Sequence, residues 1–161
     1  MKTTQKYEFN QEQMAKFQEI LTHYPQKRSA ILPALYLAQE TWGEINPAIM
    51  EYLASLLEMT PAKVREVFEF YTFFRRPGCG KYRIDVCHTL SCALRGAKDI
   101  LEHIKKKLNL EVGETTKDGK FSLTKVECIA ACDKAPAIQI NGEYYENLTL
   151  EKVDKILDSL E

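Results

Sequence analysis

Four cysteines in the second half of the chain form two closely spaced pairs. Cys87 and Cys92 are separated by four residues, and Cys128 and Cys132 by three. Thiolates at such spacings are ligands for iron–sulfur clusters and for structural zinc. The fifth cysteine, Cys79, belongs to neither pair, and an odd number of cysteines argues against a closed disulfide framework. The two pairs are therefore the candidate metal ligands.

The segments before the two pairs predict how thiols that are far apart in the sequence come close together in the fold. Residues 82–87 alternate between apolar residues and the polar Arg83 and Asp85, which predicts a half-buried strand ending at the first pair. Residues 121–128 predict a second, less regular strand that ends at Cys128. Because a helix connects them, the two strands are expected to be parallel, with their carboxyl ends at one edge of the sheet. All four thiols should converge at that edge.

The rest of the second half completes a sheet covered by helices. A helix is predicted after the first strand, with Leu94, Ala97, Ile104 and their helically spaced neighbours on one buried face. Asn141-Gly142, flanked by apolar stretches, predicts a hairpin of antiparallel strands. A last helix is expected to start after Thr149. The order strand, helix, strand, hairpin, helix is typical of a thioredoxin-like α/β domain.

The first half of the chain is predicted to be helical. Four stretches with apolar residues at helical spacing begin near Asn10, Ser29, Asn46-Pro47 and Thr60-Pro61, positions suited to helix starts. The stretch Arg75–Gly80, rich in Gly and Pro, is the expected boundary. We therefore predict a four-helix subdomain over residues 1–76 and an α/β domain over 81–161, an α+β chain overall.

Spacing alone leaves the metal open. Both pairs fit a [2Fe–2S] cluster, but they also fall within the range of structural zinc sites. Uncoordinated structural cysteines are a third interpretation, and the C-x₂-C-x₂-C run of bacterial [4Fe–4S] proteins is absent. Cys92 at a helix start would suit a negatively charged cluster. Thr89, Ser91 and the backbone amides of both loops are candidate hydrogen-bond donors to sulfur, an interaction that tunes cluster potentials.

The bulk composition is that of an ordinary globular protein. The net charge of −1 gives no electrostatic drive toward nucleic acids or anionic membranes. No apolar run is long enough to span a bilayer. The polar start of the chain, residues 1–6, does not resemble a secretion signal. We therefore expect a cytoplasmic protein, where cysteines serve metals or catalysis rather than disulfides.

The two cysteine motifs closely resemble those of one family. Residues 86–97 (VCHTLSCALRGA) and 128–136 (CIAACDKAP) are similar to the paired motifs of the thioredoxin-like [2Fe–2S] subunit, NuoE-type, of respiratory complex I (NADH:quinone oxidoreductase). NAD-linked hydrogenases and formate dehydrogenases carry the same type of subunit. Pro33-Ala34-Leu35, Gly43 and residues 70–74 (FYTFF) extend the resemblance to the helical half.

The resemblance implies a cofactor, ligands and a partner. It implies one [2Fe–2S] cluster bound by Cys87, Cys92, Cys128 and Cys132, in a subunit with no catalytic residues of its own. Its partner would be a flavoprotein subunit that binds FMN and NADH, in a complex peripheral to the inner face of the cytoplasmic membrane. Family members commonly carry glycine where this chain has Ala130, so we expect strain or a different shape in the second ligand loop.

The remaining cysteine, the histidines, the lysine run and the aromatic residues are not expected to bind a cofactor. Cys79 is interpreted as a free thiol in the linker, and His88 as a surface or supporting residue beside a ligand. His23, His103 and Lys105–Lys107 are expected to be structural or solvated. Trp42 and the aromatic run Phe68–Phe74 are expected to be core, with a partner interface as the alternative for some of these aromatics. Three other protein classes are considered, the first being a zinc-stabilised interaction module. A helix-turn-helix regulator would need a basic recognition helix, but the charges of the fourth helix balance. A thiol–disulfide oxidoreductase would need a C-x-x-C motif, and the chain contains none.

Overall fold

The computed structural model describes residues 6–160, which form two compact units. The first unit ends at Pro77 and the second begins at Gly78. The prediction that the chain start is no secretion signal falls mainly on residues 1–5, outside the described residues. Within residues 6–160, no helix is both long and apolar enough to cross a membrane.

The first unit contains the four predicted helices. Asn10 begins the first with a capping box, in which its side chain accepts a hydrogen bond from the Gln13 N–H at 2.9 Å and the Gln13 side chain accepts one from the Asn10 N–H at 2.9 Å. Gly43, with φ of 80°, ends the second. The helices are α1 (Gln11–Thr22), α2 (Ile31–Trp42), α3 (Pro47–Leu57) and α4 (Pro61–Phe70), with a short 3₁₀ helix, Lys27–Ala30, before α2.

One apolar core holds the first unit together. Phe17, Leu35, Leu53 and Val64, one from each helix, are almost fully buried in it. Trp42 is partly buried against this core. Of the aromatic run predicted to be core, Phe68 and Phe74 are buried, whereas Phe70 is exposed.

A four-stranded sheet forms the centre of the second unit. Its strands are β1 (Tyr82–Cys87), β2 (Phe121–Val126), β3 (Ile138–Ile140) and β4 (Glu143–Tyr145), in the order β2-β1-β3-β4. β1 pairs parallel to β2 and antiparallel to β3. Asn141 and Gly142 turn the β3–β4 hairpin with φ of 51° and 91°. The predicted parallel pair and hairpin are confirmed.

Two helices cover one face of this sheet. They are α6 (Ala97–Leu108) and α7 (Leu150–Ser159), the latter capped by the Thr149 side chain. Ile104 and Val153 from the helices are buried with Ile84, Leu123 and Ile138 from the sheet. This core leaves the carboxyl ends of β1 and β2 free to carry the loops with the cysteines.

The end of β1 is more buried than the alternating sequence predicts. Asp85, expected on the solvent side of a half-buried strand, is only 2% exposed. Its carboxylate accepts hydrogen bonds from Arg83 Nε at 3.0 and 2.9 Å. Burial raises the Asp85 pKa even though Arg83 acts to lower it. The expectation was wrong here because the guanidinium supplies the partner that lets a carboxylate be buried.

The predicted helix after β1 is interrupted, which reverses the environment of Leu94. A short helix, α5 (Leu90–Leu94), ends before Arg95 and Gly96, and α6 starts at Ala97. Gly96 has φ of 92°, a left-handed conformation that breaks the helix. Ala97 and Ile104 are buried as predicted, but Leu94 is exposed to solvent. Its assignment to the buried face was wrong because the periodicity does not continue across the break.

Candidate metal centre

Cys87 and Cys92 form a buried pair. Cys87 is the last residue of β1 and is 1% exposed, and Cys92 lies in the middle of α5 and is 2% exposed. Burial raises the Cys87 pKa, but hydrogen bonds from Thr89 and the Ile129 backbone outweigh it and hold the pKa below its usual value. Burial and the hydrogen bond shared with Cys87 raise the Cys92 pKa to about 11. Of the two thiols, Cys87 therefore loses its proton more readily than Cys92.

Cys128 and Cys132 form an exposed pair. Their sulfurs lie 3.5 Å apart, and both side chains reach solvent. β2 ends at Val126, so Cys128 lies two residues beyond the strand rather than at its end, and Cys132 starts a short 3₁₀ helix, Cys132–Lys134. The Ala130 N–H donates to the Cys128 sulfur at 3.3 Å and is the main cause of a lowered Cys128 pKa. The same sulfur raises the pKa of Cys132.

Ala130 has a strained backbone conformation, as predicted from the alanine that replaces the family's glycine at this position. Its φ is 63°, in the left-handed region that favours glycine. In this conformation its N–H points at the Cys128 sulfur. The strain in the second ligand loop is thus tied to a hydrogen bond on a candidate ligand.

Two hydroxyl groups connect the buried pair to the exposed pair. The Thr89 hydroxyl lies 3.4 Å from the Cys87 sulfur and also lowers the pKa of Cys128. The Ser91 hydroxyl acts to lower the pKa of Cys132. The fold therefore brings all four predicted thiols to one edge of the sheet, and both hydroxyls named from the sequence lie among them.

Some donors to sulfur are backbone groups that sequence reasoning did not identify individually. The backbone of Ile129 acts to lower the pKa of Cys87, and that of Ala137 acts to lower the pKa of Cys92. The sequence implicates the amides of both loops only as a class, because every residue except proline carries an N–H whatever its side chain. Their directions depend on the folded loop.

The donor set fits a [2Fe–2S] cluster. Four thiols in two pairs match two iron ions with two cysteine ligands each. Within residues 6–160, no three His, Cys, Asp or Glu side chains are grouped so as to hold a single metal ion. A tetrahedral zinc site also takes four thiolates, so metal and sulfide analysis distinguishes the two groups. The buried pair also packs with Ala97 and Ala135 in a small apolar cluster that keeps water from one side.

The other candidate residues lie apart from this centre or beside it. Cys79 is a partly exposed free thiol. His88 follows Cys87 and lies 3.4 Å from the Glu127 carboxylate. His103 lies 2.8 Å from the Asp154 carboxylate, in an ion-pair network between α6 and α7 that includes Lys107. None of these contacts gives the residue a role at the four thiols.

The chain is similar to a defined protein family over most of its length. The family model for the thioredoxin-like [2Fe–2S] ferredoxin matches residues 17–161. The E subunit of NADH-quinone oxidoreductase from Rickettsia conorii is 45% identical over 158 residues, 96% of this chain and 95% of the relative. NADH dehydrogenase [ubiquinone] flavoprotein 2, mitochondrial, from Dictyostelium discoideum is 40% identical, covering 96% of this chain and 64% of the relative.

A solved structure has the same fold. A chain of an NAD⁺-reducing [NiFe]-hydrogenase in the H₂-reduced state superimposes with a TM-score of 0.70 at 21% sequence identity. The match covers 81% of this chain and only 22% of the hydrogenase chain. At this identity the likeness establishes the fold alone.

Proposed function

Because this chain belongs to the thioredoxin-like [2Fe–2S] ferredoxin family, we propose that it is an electron-transfer subunit of an NADH-quinone oxidoreductase. It carries one [2Fe–2S] cluster on Cys87, Cys92, Cys128 and Cys132. The observation that carries the proposal is the meeting of two thiol pairs at one edge of the sheet. The E subunits of that complex from two Rickettsia species match this chain almost end to end and support it.

The cluster, when bound, supplies reversible one-electron transfer. The buried Cys87 and Cys92 and the exposed Cys128 and Cys132 would together hold the cluster. Thiols must lose their protons to bind metal, and the lowered pKa values of Cys87 and Cys128 favour this step. Donors such as the Ala130 N–H stabilise charge on sulfur, which raises the reduction potential.

The proposed partner is the subunit that performs the hydride transfer, a reaction different from the one-electron transfer of this chain. Hydride transfer from NADH belongs to a flavin, and this chain contains neither G-x-G-x-x-G nor G-K-[ST]. We assign NADH and FMN to a flavoprotein subunit of the same complex, peripheral to the cytoplasmic membrane. The corresponding subunit of an NAD-linked hydrogenase is the second candidate, favoured by the shared fold.

Metal analysis with two serine variants tests the ligand set. We expect the purified chain to contain iron and acid-labile sulfide, with an EPR signal of a reduced two-iron centre after dithionite. Cys128→Ser should lose or strongly alter this signal, whereas the matched control Cys79→Ser should keep it, because Cys79 belongs to neither pair. Zinc without sulfide would overturn the cluster, and damage confined to Cys79→Ser would overturn the ligand set.

A further inference from the structure

The short helix α5 turns an apolar face toward solvent. Leu90 and Leu94 are 74% and 79% exposed, and Ala93 between them is exposed as well. Residues at these spacings lie on one side of a helix. We call these three side chains the α5 patch. Only Cys92 in this helix is buried, so the helix presents its leucines outward and its thiol inward.

The α5 patch is contiguous with the exposed thiol pair. α5 lies against the short 3₁₀ helix Cys132–Lys134, which begins with one of the exposed thiols. Cys92, between Ser91 and the rest of the patch, belongs to the same metal centre. A molecule that covers the α5 patch therefore also approaches the side from which Cys128 and Cys132 are accessible.

The chain that follows the patch carries three exposed charged residues, of which Asp99 is acidic. The other two, Arg95 directly after Leu94 and Lys98, are basic. Neither side chain forms an ion pair with another residue in the range 6–160. An apolar centre with a charged edge is the usual anatomy of a protein interface, in which edge charges guide association.

We propose that the α5 patch is the docking surface for the flavoprotein subunit, which meets it with an apolar area edged by carboxylates. This inference rests on the proposed function. Electron exchange requires close approach to the cluster, and the exposed pair beside the patch provides it. A second copy of this chain seated here would block that approach, so the flavoprotein is the better occupant. Two leucines left in water are also costly unless a partner buries them.

Replacing both leucines by glutamine tests the surface. The variant Leu90→Gln/Leu94→Gln keeps good helix formers and leaves Cys92 in place. Its iron content and EPR spectrum are measured first, then its affinity for the FMN-loaded flavoprotein from the same organism. We expect an intact cluster and an affinity weakened about tenfold or more, as for central interface residues. Val112→Gln, a change at an exposed apolar residue outside α5, should bind like the wild type.

A charge reversal provides a second variant that removes no apolar contact. Arg95→Glu should slow association and reduce its sensitivity to salt, with an unchanged EPR spectrum. Wild-type affinity for both variants would overturn the docking surface while leaving the proposed function intact. A wild-type chain that loads a cluster but dimerises through the leucines, with loss of the dimer in the double variant, would also overturn it. A wild-type chain without a cluster would overturn the proposed function itself.

Discussion

At the scale of single residues, Ala130 combines an unfavourable backbone with a useful contact. Its left-handed φ costs about 1–2 kcal/mol for a residue with a Cβ. The same conformation directs its N–H to the Cys128 sulfur. The sequence predicts the strain from the residue type, but the hydrogen bond depends on the path of the folded loop.

Ala130→Gly should therefore stabilise the protein. Relief of the backbone strain exceeds the extra conformational freedom that glycine gives the unfolded chain, so we expect a gain of up to about 1 kcal/mol. The matched control is Ala131→Gly, because Ala131 is buried and has φ of −107°. That change should destabilise by roughly 0.5–1 kcal/mol. Denaturant unfolding of the loaded protein measures both, and an equal loss in the two variants would contradict the strain.

At the scale of elements, the break between α5 and α6 determines which leucines face solvent. Apolar periodicity predicts one helix through this region, and it is correct for Ala97 and Ile104. It fails for Leu94 because a single left-handed residue, Gly96, reorients the chain. Apolar periodicity predicts the buried face of a helix only while the helix continues in one direction. It does not predict where one helix ends and the next begins in a new direction.

Gly96→Ala should destabilise the protein through the backbone alone. A Cβ at this position would meet only the Asp99 carboxylate, at 3.8 Å, so no steric clash is introduced. The left-handed φ should cost about 1–2 kcal/mol, which lowers the melting temperature by several degrees. Arg95→Ala, at the exposed neighbouring position, is the control and should change stability little. An unchanged melting temperature for Gly96→Ala would show that the break is not needed.

At the scale of the whole molecule, the two units have separate cores, and the metal centre lies in the second. The family resemblance drawn from the two cysteine motifs is confirmed by the family match over residues 17–161. The parallel strand pair, the hairpin and the four amino-terminal helices were predictable because caps, turns and periodicity are local signals. Burial of one thiol pair and exposure of the other was not, since it depends on how distant loops pack.

Removing the metal should affect the two units unequally. Ligand binding stabilises only the structure that contains the site, so loss of the cluster should lower the melting temperature of residues 78–161. Trp42, the single tryptophan, lies against the core of the first unit and reports on that unit. After chelation we expect circular dichroism to show an earlier transition while the Trp42 fluorescence transition stays in place.

Preparations of Cys128→Ser that contain no iron should show the same difference without a chelator. If the fluorescence and dichroism transitions instead shift together by the same amount, the units unfold as one and the separate cores do not act independently.

The exposed sulfur pair also bears on how the protein matures. Two accessible sulfurs 3.5 Å apart, one with a lowered pKa, are well placed to react with each other. An oxidant that removes two electrons and two protons joins Cys128 to Cys132, and the resulting disulfide cannot bind iron. Newly made chains therefore take up iron and sulfide directly only while both thiols are reduced. Iron-free protein handled in air needs a thiol reductant before it can be loaded.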